Sequence, residues 1–210
     1  MIKILVVDDH AVVREGLKQI ISETPDMVVA AEASSAQEVL NKVRENNYDV
    51  VLLDISMPGR GGLDVLKQLK NEKTGLPVLI LSIYPEDQYA MRALKAGASG
   101  YLTKESAPDE LIAAIRKISQ GRKYVSASLA EKLASEMEIG AEKPPHEMLS
   151  DREYQVMYMI AKGKTIKEIA GELSLSVKTI STYRSRILEK MRMKNNAELT
   201  RYAIKNHLVE

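Results

Sequence analysis

Short apolar runs bounded by turn formers recur along the first 124 residues: Ile2 to Val7, Val28 to Ala31, Val50 to Leu53, Pro77 to Leu81 and Gly100 to Thr103. Runs of Val, Leu and Ile without polar alternation read as strands buried on both faces, as in a parallel sheet. Between them apolar positions return at helical spacing. Val13, Leu17, Ile20 and Ile21 form one face; Val39, Leu40 and Val43 a second; Leu63, Leu66 and Leu69 a third. A fourth helix is expected from about Pro85 to Ala96, stopping at Gly97. A fifth is expected from Ala107 to Gln120, with Ser106 and Asp109 spaced as a capping box, Pro108 in its first turn and Gly121 as its stop. Five strand–helix pairs predict an α/β fold: a doubly wound five-stranded parallel sheet, helices on both faces.

The pattern then changes. Ser126 to Glu138 is helical, carrying Leu129, Leu133 and Met137, and Gly140-Ala-Glu-Lys-Pro-Pro-His146 reads as an exposed linker. Everything beyond is helical. Ser150 with Glu153 and Thr165 with Glu168 are capping boxes, and Leu149 with Tyr154 is spaced for a hydrophobic staple. Gly163 ends the first of these helices; Ile166, Ile169, Ala170 and Leu173 point inward from the second. A tight turn, Ser174-Leu-Ser176, precedes a helix from Val177 to about Met191 that buries Ile180, Ile187, Leu188 and Met191, and a last helix runs from Ala197 to Asn206. The expected division is an α/β domain over 1–124, a helix and linker over 125–146, and an all-α four-helix domain over 147–210.

The net charge of +1 conceals an asymmetry. From His146 onward twelve basic residues face eight acidic ones, so that third carries +4 and the rest −3. This division suggests a nucleic-acid partner for the basic part. With no cysteine in the chain, disulfides and thiolate metal sites are excluded. No apolar run reaches transmembrane length, and Asp8 and Asp9 come too early for a signal peptide, so a cytoplasmic protein without a membrane partner is expected.

Parallel strands deliver their chemistry at their carboxyl ends. Here those ends carry Asp8 and Asp9, then Asp54, then Ser82, then Lys104. A lone Asp after a strand is usually a turn former or a helix cap. The succession of acid, acid, hydroxyl and amine is what suggests a site. Three carboxylates at close quarters repel unless cations neutralise them, as Mg²⁺ and Lys104 would. In the basic third, a short helix, tight turn and longer helix outline a helix-turn-helix, with Lys178, Ser181, Thr182 and Ser185 sharing one face. Lys178, Arg184, Arg186, Lys190, Arg192 and Lys194 would suit phosphate contacts; the bland alternative is a solvated face of an ordinary bundle.

Asp8-Asp9, Asp54-Ile-Ser-Met-Pro58 with Gly62, Ser82 and Lys104 resemble the signature of response-regulator receiver domains, which are flavodoxin-like. Leu149 through Met191 resembles the LuxR-type four-helix DNA-binding domain. Together they resemble the NarL/FixJ class of two-component response regulators over nearly the whole chain. The wording Lys178-Thr-Ile-Ser-Thr-Tyr-Arg-Ser-Arg186 is similar to the BvgA and EvgA branch.

The resemblance implies that Asp54 is the phosphoacceptor for a sensor histidine kinase. It implies Mg²⁺ held by Asp9 and Asp54 directly, by Asp8 through water and by the Ser56 backbone carbonyl. Lys104 and Ser82 would bind the phosphoryl oxygens, Tyr101 would turn inward as Ser82 moves, and Ser56 and Tyr84 would tune the lifetime of the acyl phosphate. Phosphorylated protein would form a homodimer on double-stranded promoter DNA, contacting it through Lys178, Thr179, Ser181, Thr182, Arg184, Ser185, Arg186, Lys190 and Lys194, and would act on RNA polymerase. Two positions depart from the family pattern. Glu105 replaces a common proline, and a cis peptide before it would cost about 3–4 kcal/mol. Ile166 stands where Asn is usual. The small hydroxyl side chains at Ser181, Thr182 and Ser185 cannot make the bidentate arginine–guanine contact, so DNA shape is expected to share in specificity. Two rivals remain at this point: a phosphatase with an Asp nucleophile, and a receiver that is only a dimerisation scaffold.

Overall fold

In the computed structural model, which describes residues 1–58, 61–138 and 144–209, the chain divides into two compact units, Met1–Glu138 and Ile139–Glu210. The first contains strands β1 (Ile2–Val7), β2 (Met27–Ala33), β3 (Val50–Asp54), β4 (Val78–Ser82) and β5 (Gly100–Thr103), all parallel in the order β2-β1-β3-β4-β5. They alternate with helices α1 (Ala11–Ser22), α2 (Ala36–Glu45), α3 (Gly62–Glu72), α4 (Glu86–Lys95) and α5 (Pro108–Ser119).

Every residue of β3 and β4 is buried, as the unbroken apolar runs require. On one face Ile4, Val6, Val50, Leu52, Leu79 and Leu81 pack with Leu17 and Ile21 of α1 and Leu111, Ile115 and Ile118 of α5. The alternate strand residues, Leu5, Val7, Val51, Leu53 and Ile80, are equally buried and face the side of α2 and α3, whose Val39, Leu40, Val43, Leu63, Leu66 and Leu69 are buried in turn. β2 is longer than the apolar run Val28 to Ala31, because β1 pairs with it along its whole length across a register shift at Ile4/Leu5.

One expected cap is displaced. The N-cap of α5 is Ala107, not Ser106, and it makes no side-chain cap hydrogen bond. Pro108 disfavours helical geometry at the residue before it, so the extended position falls on Ala107, while the Ser106 hydroxyl lies 3.3 Å from that of Thr103. Beyond α5, helix α6 (Ala127–Glu138) lies on α4: Leu129 is buried and the Ser126 hydroxyl donates to Glu86 at 2.7 Å. Of the expected linker, residues 140–143 lie outside the described residues and Pro145–Met148 form a 3₁₀ turn.

The second unit holds α7 (Asp151–Ala161), α8 (Ile166–Glu172), α9 (Val177–Lys190) and α10 (Asn196–Lys205). Both capping boxes form, with the Ser150 and Thr165 side chains accepting from the amides of Glu153 and Glu168. Leu149 and Tyr154 are both buried. Ile169, Ala170 and Leu173 of the second helix are inside, but Ile166 at its first position is only half-buried. Ser174, with φ of 52°, makes the turn between α8 and α9. Among the described residues no helix is long and apolar enough to cross a membrane.

Glu153 ties this unit together. Besides closing its box, it accepts from the Lys190 ammonium of α9 at 2.6 Å. Burial alone would push its carboxyl up, but Lys190 and the Ser150 cap outweigh that and hold it below the usual carboxylate range. A depressed acid contributes stability that is present above its unfolded value and lost as pH falls through the folded one. Glu153→Gln should therefore lower the unfolding free energy of this unit by about 1–2 kcal/mol at neutral pH, with the deficit vanishing in acid; urea midpoints at the two pH values measure it.

Candidate phosphoacceptor site and DNA-binding face

The strand register brings the acids together. Val7 of β1 pairs beside Leu53 of β3, so one further step puts Asp8 beside Asp54. On the other side of β3, Asp54 pairs beside Leu81, the residue before Ser82, and Ser82 pairs beside Thr103, the residue before Lys104. The Lys104 amide donates to the Ser82 carbonyl at 2.8 Å, which extends the ladder by one rung.

At this edge Asp8 and Asp54 are each 1% exposed, and the Lys104 ammonium bridges them, at 2.7 Å from Asp8 Oδ2 and 2.8 Å from Asp54 Oδ2. The second oxygen of Asp54 accepts from the Ser56 amide at 2.7 Å. Burial pushes the Asp54 carboxyl up and Lys104 pulls against it, leaving it raised. For Lys104 burial acts downward, but Asp54 and Asp8 overcome it and the ammonium is held above its ordinary value.

Asp9 completes the acidic group. Its Oδ1 is closed off from solvent and has no hydrogen-bond partner. His10 adjoins it: the imidazole Nδ1 is 3.1 Å from Asp9 Oδ1 and 3.3 Å from Asp8 Oδ1, and the His10 amide donates to Asp8 Oδ1 at 2.8 Å. Ligand atoms of Asp8, Asp9, His10 and Asp54 all lie within 4.8 Å of one another, an arrangement that could hold a metal ion. Hard carboxylate oxygens, one of them buried without a hydrogen bond, fit a magnesium-like cation. His10 is not among the residues expected at this site; its adjacency to Asp9 is the signal in the sequence that points to it.

The remaining site residues lie on the same edge. Ser82 is fully buried and its hydroxyl accepts from the Tyr84 amide at 2.9 Å. The Tyr84 ring stacks on Tyr89 with centroids 4.5 Å apart. Tyr101, expected to turn inward as Ser82 moves, is already inside: it is 1% exposed and its hydroxyl donates to the Tyr84 carbonyl at 2.8 Å. Burial raises its pKa well above the ordinary tyrosine value. Among the described residues no peptide is cis, so the Lys104–Glu105 bond is trans.

In the second unit, Ser176 caps α9 by accepting from the Thr179 amide. Lys178, Ser181, Thr182, Ser185 and Arg186 are exposed along α9, and Lys194 is exposed just beyond it. The Thr182 and Ser185 hydroxyls fold back on the carbonyls of Lys178 and Ser181. Three of the expected DNA contacts have work inside the unit. Thr179 is half-buried with its hydroxyl 2.7 Å from Ser176, Arg184 donates to Asn196 at 2.6 Å, and Lys190 pairs with Glu153. Helical pitch explains the two cations: Arg184 is four residues past Ile180, and Lys190 three past Ile187, so both flank the buried stripe.

Residues 4–116 match the family model of the response regulator receiver domain, and residues 147–203 match that of bacterial regulatory proteins, luxR family. The chain is 37% identical over 209 residues to the response regulator UvrY of Escherichia coli, covering 99% of this chain and 96% of that one. This chain belongs to the two-component response regulators. Within them it joins the NarL/FixJ class, with a receiver and a LuxR-type helix-turn-helix. This response regulator is also 37% identical over 211 residues to GacA of Pseudomonas syringae pv. syringae, covering 100% of this chain and 99% of that one. Among solved structures it resembles the response regulator ChrA of a heme-sensing two-component system, at 30% identity, a TM-score of 0.53 and coverage of 99% and 98%. Its function is phosphorylation-controlled regulation of transcription.

Proposed function

We propose that Asp54 is the phosphoacceptor, taking its phosphoryl group from a sensor histidine kinase. A carboxylate oxygen of Asp54 would form the new P–O bond as the P–N bond of phosphohistidine breaks, with the imidazole leaving. The observation that carries this is the ammonium of Lys104 placed 2.8 Å from Asp54, next to a buried serine hydroxyl on the adjoining strand. Phosphoryl transfer to a carboxylate needs positioned positive charge more than a general base. Asp8, Asp9, Asp54 and the Ser56 carbonyl would hold Mg²⁺, which when bound neutralises charge on the transferred group. Lys104 would then pair with one phosphoryl oxygen and Ser82 with another, drawing on Tyr84 through its amide and so on Tyr101. Ser56 and Tyr84, at the rim, would tune the lifetime of the acyl phosphate.

The receiver would occupy 1–124, the connecting helix and linker 125–146, and the DNA-binding domain 147–210. Phosphorylation would favour a homodimer on double-stranded promoter DNA. Lys178, Arg186 and Lys194 would contact phosphates, and Ser181, Thr182 and Ser185 the groove, while Thr179, Arg184 and Lys190 would hold α9 in place and reach the backbone with their remaining donors. RNA polymerase would be the downstream partner and the cytoplasm the location. The protein would not turn over a substrate as an enzyme does.

The test is incubation with acetyl phosphate and Mg²⁺, followed by intact mass and DNA-binding measurements on wild type and Asp54→Ala. A phosphate-sized mass gain and tighter DNA binding in wild type alone are expected. Equal DNA affinity with and without phosphate, or rapid hydrolysis of small phosphate esters, would overturn the reading.

A further inference from the structure

The buried Oδ1 of Asp9 accepts no hydrogen bond, and the His10 imidazole 3.1 Å from it is itself 67% exposed, so the aim of this carboxylate falls largely to its backbone. That backbone is held at one atom beyond the β-ladder. Arg14, one turn into α1, donates through Nη1 to the Asp8 carbonyl at 2.8 Å. The oxygen it grips belongs to the Asp8–Asp9 peptide, and a peptide is rigid, so gripping the oxygen fixes the plane from which the Asp9 side chain departs.

The guanidinium is itself braced. Its Nε donates to Glu32 Oε2 at 3.0 Å, and Glu32 Oε1 accepts from Lys18 at 2.8 Å. Glu32 lies on β2, whose next residue, Ala33, accepts from the Asp8 amide at 3.1 Å. The Asp8 amide and carbonyl are thus held from β2 and from α1, and Glu32, paired with both Arg14 and Lys18, links those two elements. Arg14 is only 18% exposed and Glu32 32%, which makes the pair less screened than an ordinary surface one.

We propose that Arg14, braced by Glu32, is a positioning residue for the metal site: it locks the Asp8–Asp9 peptide and thereby aims Asp9. This rests on reading the acidic cluster as the Mg²⁺ site. Groups of this kind, which orient a ligand without touching the metal, typically change affinity 10–100-fold when removed.

The experiment is calorimetric titration of the full chain with Mg²⁺ alone, together with melting midpoints in its absence, for wild type, Arg14→Gln, Glu32→Gln and Arg44→Gln. Arg44 makes a two-point pair with Glu72, one contact more than Arg14 makes with Glu32, and touches no site residue, so it controls for simple loss of an ion pair. Expected are Mg²⁺ binding about 10-fold or more weaker in Arg14→Gln, a smaller loss in Glu32→Gln, and wild-type affinity in Arg44→Gln. Equal affinity in wild type and Arg14→Gln overturns the inference, as does an equal loss in Arg44→Gln. If Arg14→Gln does not fold, Glu32→Gln decides, and wild-type affinity there overturns it. Failure of wild type to bind Mg²⁺ would instead overturn the metal-site reading on which the inference stands.

Discussion

Lys104→Met is expected to destabilise the receiver by about 3–5 kcal/mol at neutral pH in the absence of divalent cations, the usual consequence of removing one partner of a buried charge pair. The reason is local. Asp8 and Asp54 are both 1% exposed and share this one ammonium at 2.7 and 2.8 Å. Without it, two buried carboxylates face each other. The pH dependence separates this from a loss of packing. Burial already raises the Asp54 carboxyl against the pull of Lys104, so in the variant it rises further. An acid whose folded value is raised opposes folding once pH exceeds its ordinary value, here 3.8. The deficit should therefore grow from acid to neutral pH. In wild type the raised Lys104 ammonium contributes stability that is whole below 10.5 and is lost as pH climbs through its folded value. Mg²⁺ should restore part of the variant's stability by binding only the folded state. Urea unfolding across pH, with and without Mg²⁺, checks all of these; a deficit independent of both would show that the ammonium acts only through packing.

Gly62→Ala is expected to cost about 3 kcal/mol or more, at the upper end of overpacking effects. A Cβ on Gly62 would lie 2.3 Å from Ile55 Cα and 2.6 Å from the Asp54 carbonyl oxygen. Both are backbone atoms, so no rotamer change relieves the clash. The start of α3 would have to move away, or the segment Asp54–Ile55–Ser56 would have to shift, and with it the Ser56 amide that holds Asp54 Oδ1. The expected result is a lowered melting midpoint together with slower phosphorylation by acetyl phosphate. Gly75→Ala, where an added Cβ meets nothing within 4 Å, is the control and should change neither. An unaltered phosphorylation rate in Gly62→Ala would show that α3 yields and the segment Asp54–Ile55–Ser56 does not.

Much of this protein was legible in one dimension. Unbroken runs such as Val50-Val-Leu-Leu53 can satisfy their two apolar faces only inside a parallel sheet, and they place Asp54 at a strand end. Capping boxes at Ser150 and Thr165 formed as spaced, because a box involves only residues within one turn. The cap expected at Ser106 failed for an equally local reason, the constraint that Pro108 puts on Ala107.

What the linear pattern determined was the fold class, the two-part organisation and the residue types at four strand ends, since these depend on periodicity and on contacts within a turn. Tertiary structure alone decided which groups bear on one another. It seated Lys104 between Asp8 and Asp54, set the ring of His10 beside Asp9, reached Arg14 to the Asp8 carbonyl and turned Arg184 and Lys190 toward Asn196 and Glu153. Apart from the neighbours His10 and Asp9, those pairings join residues from six to 96 positions apart, and hydrogen bonds and charge interactions act over a few ångströms of space, a distance that sequence spacing does not encode.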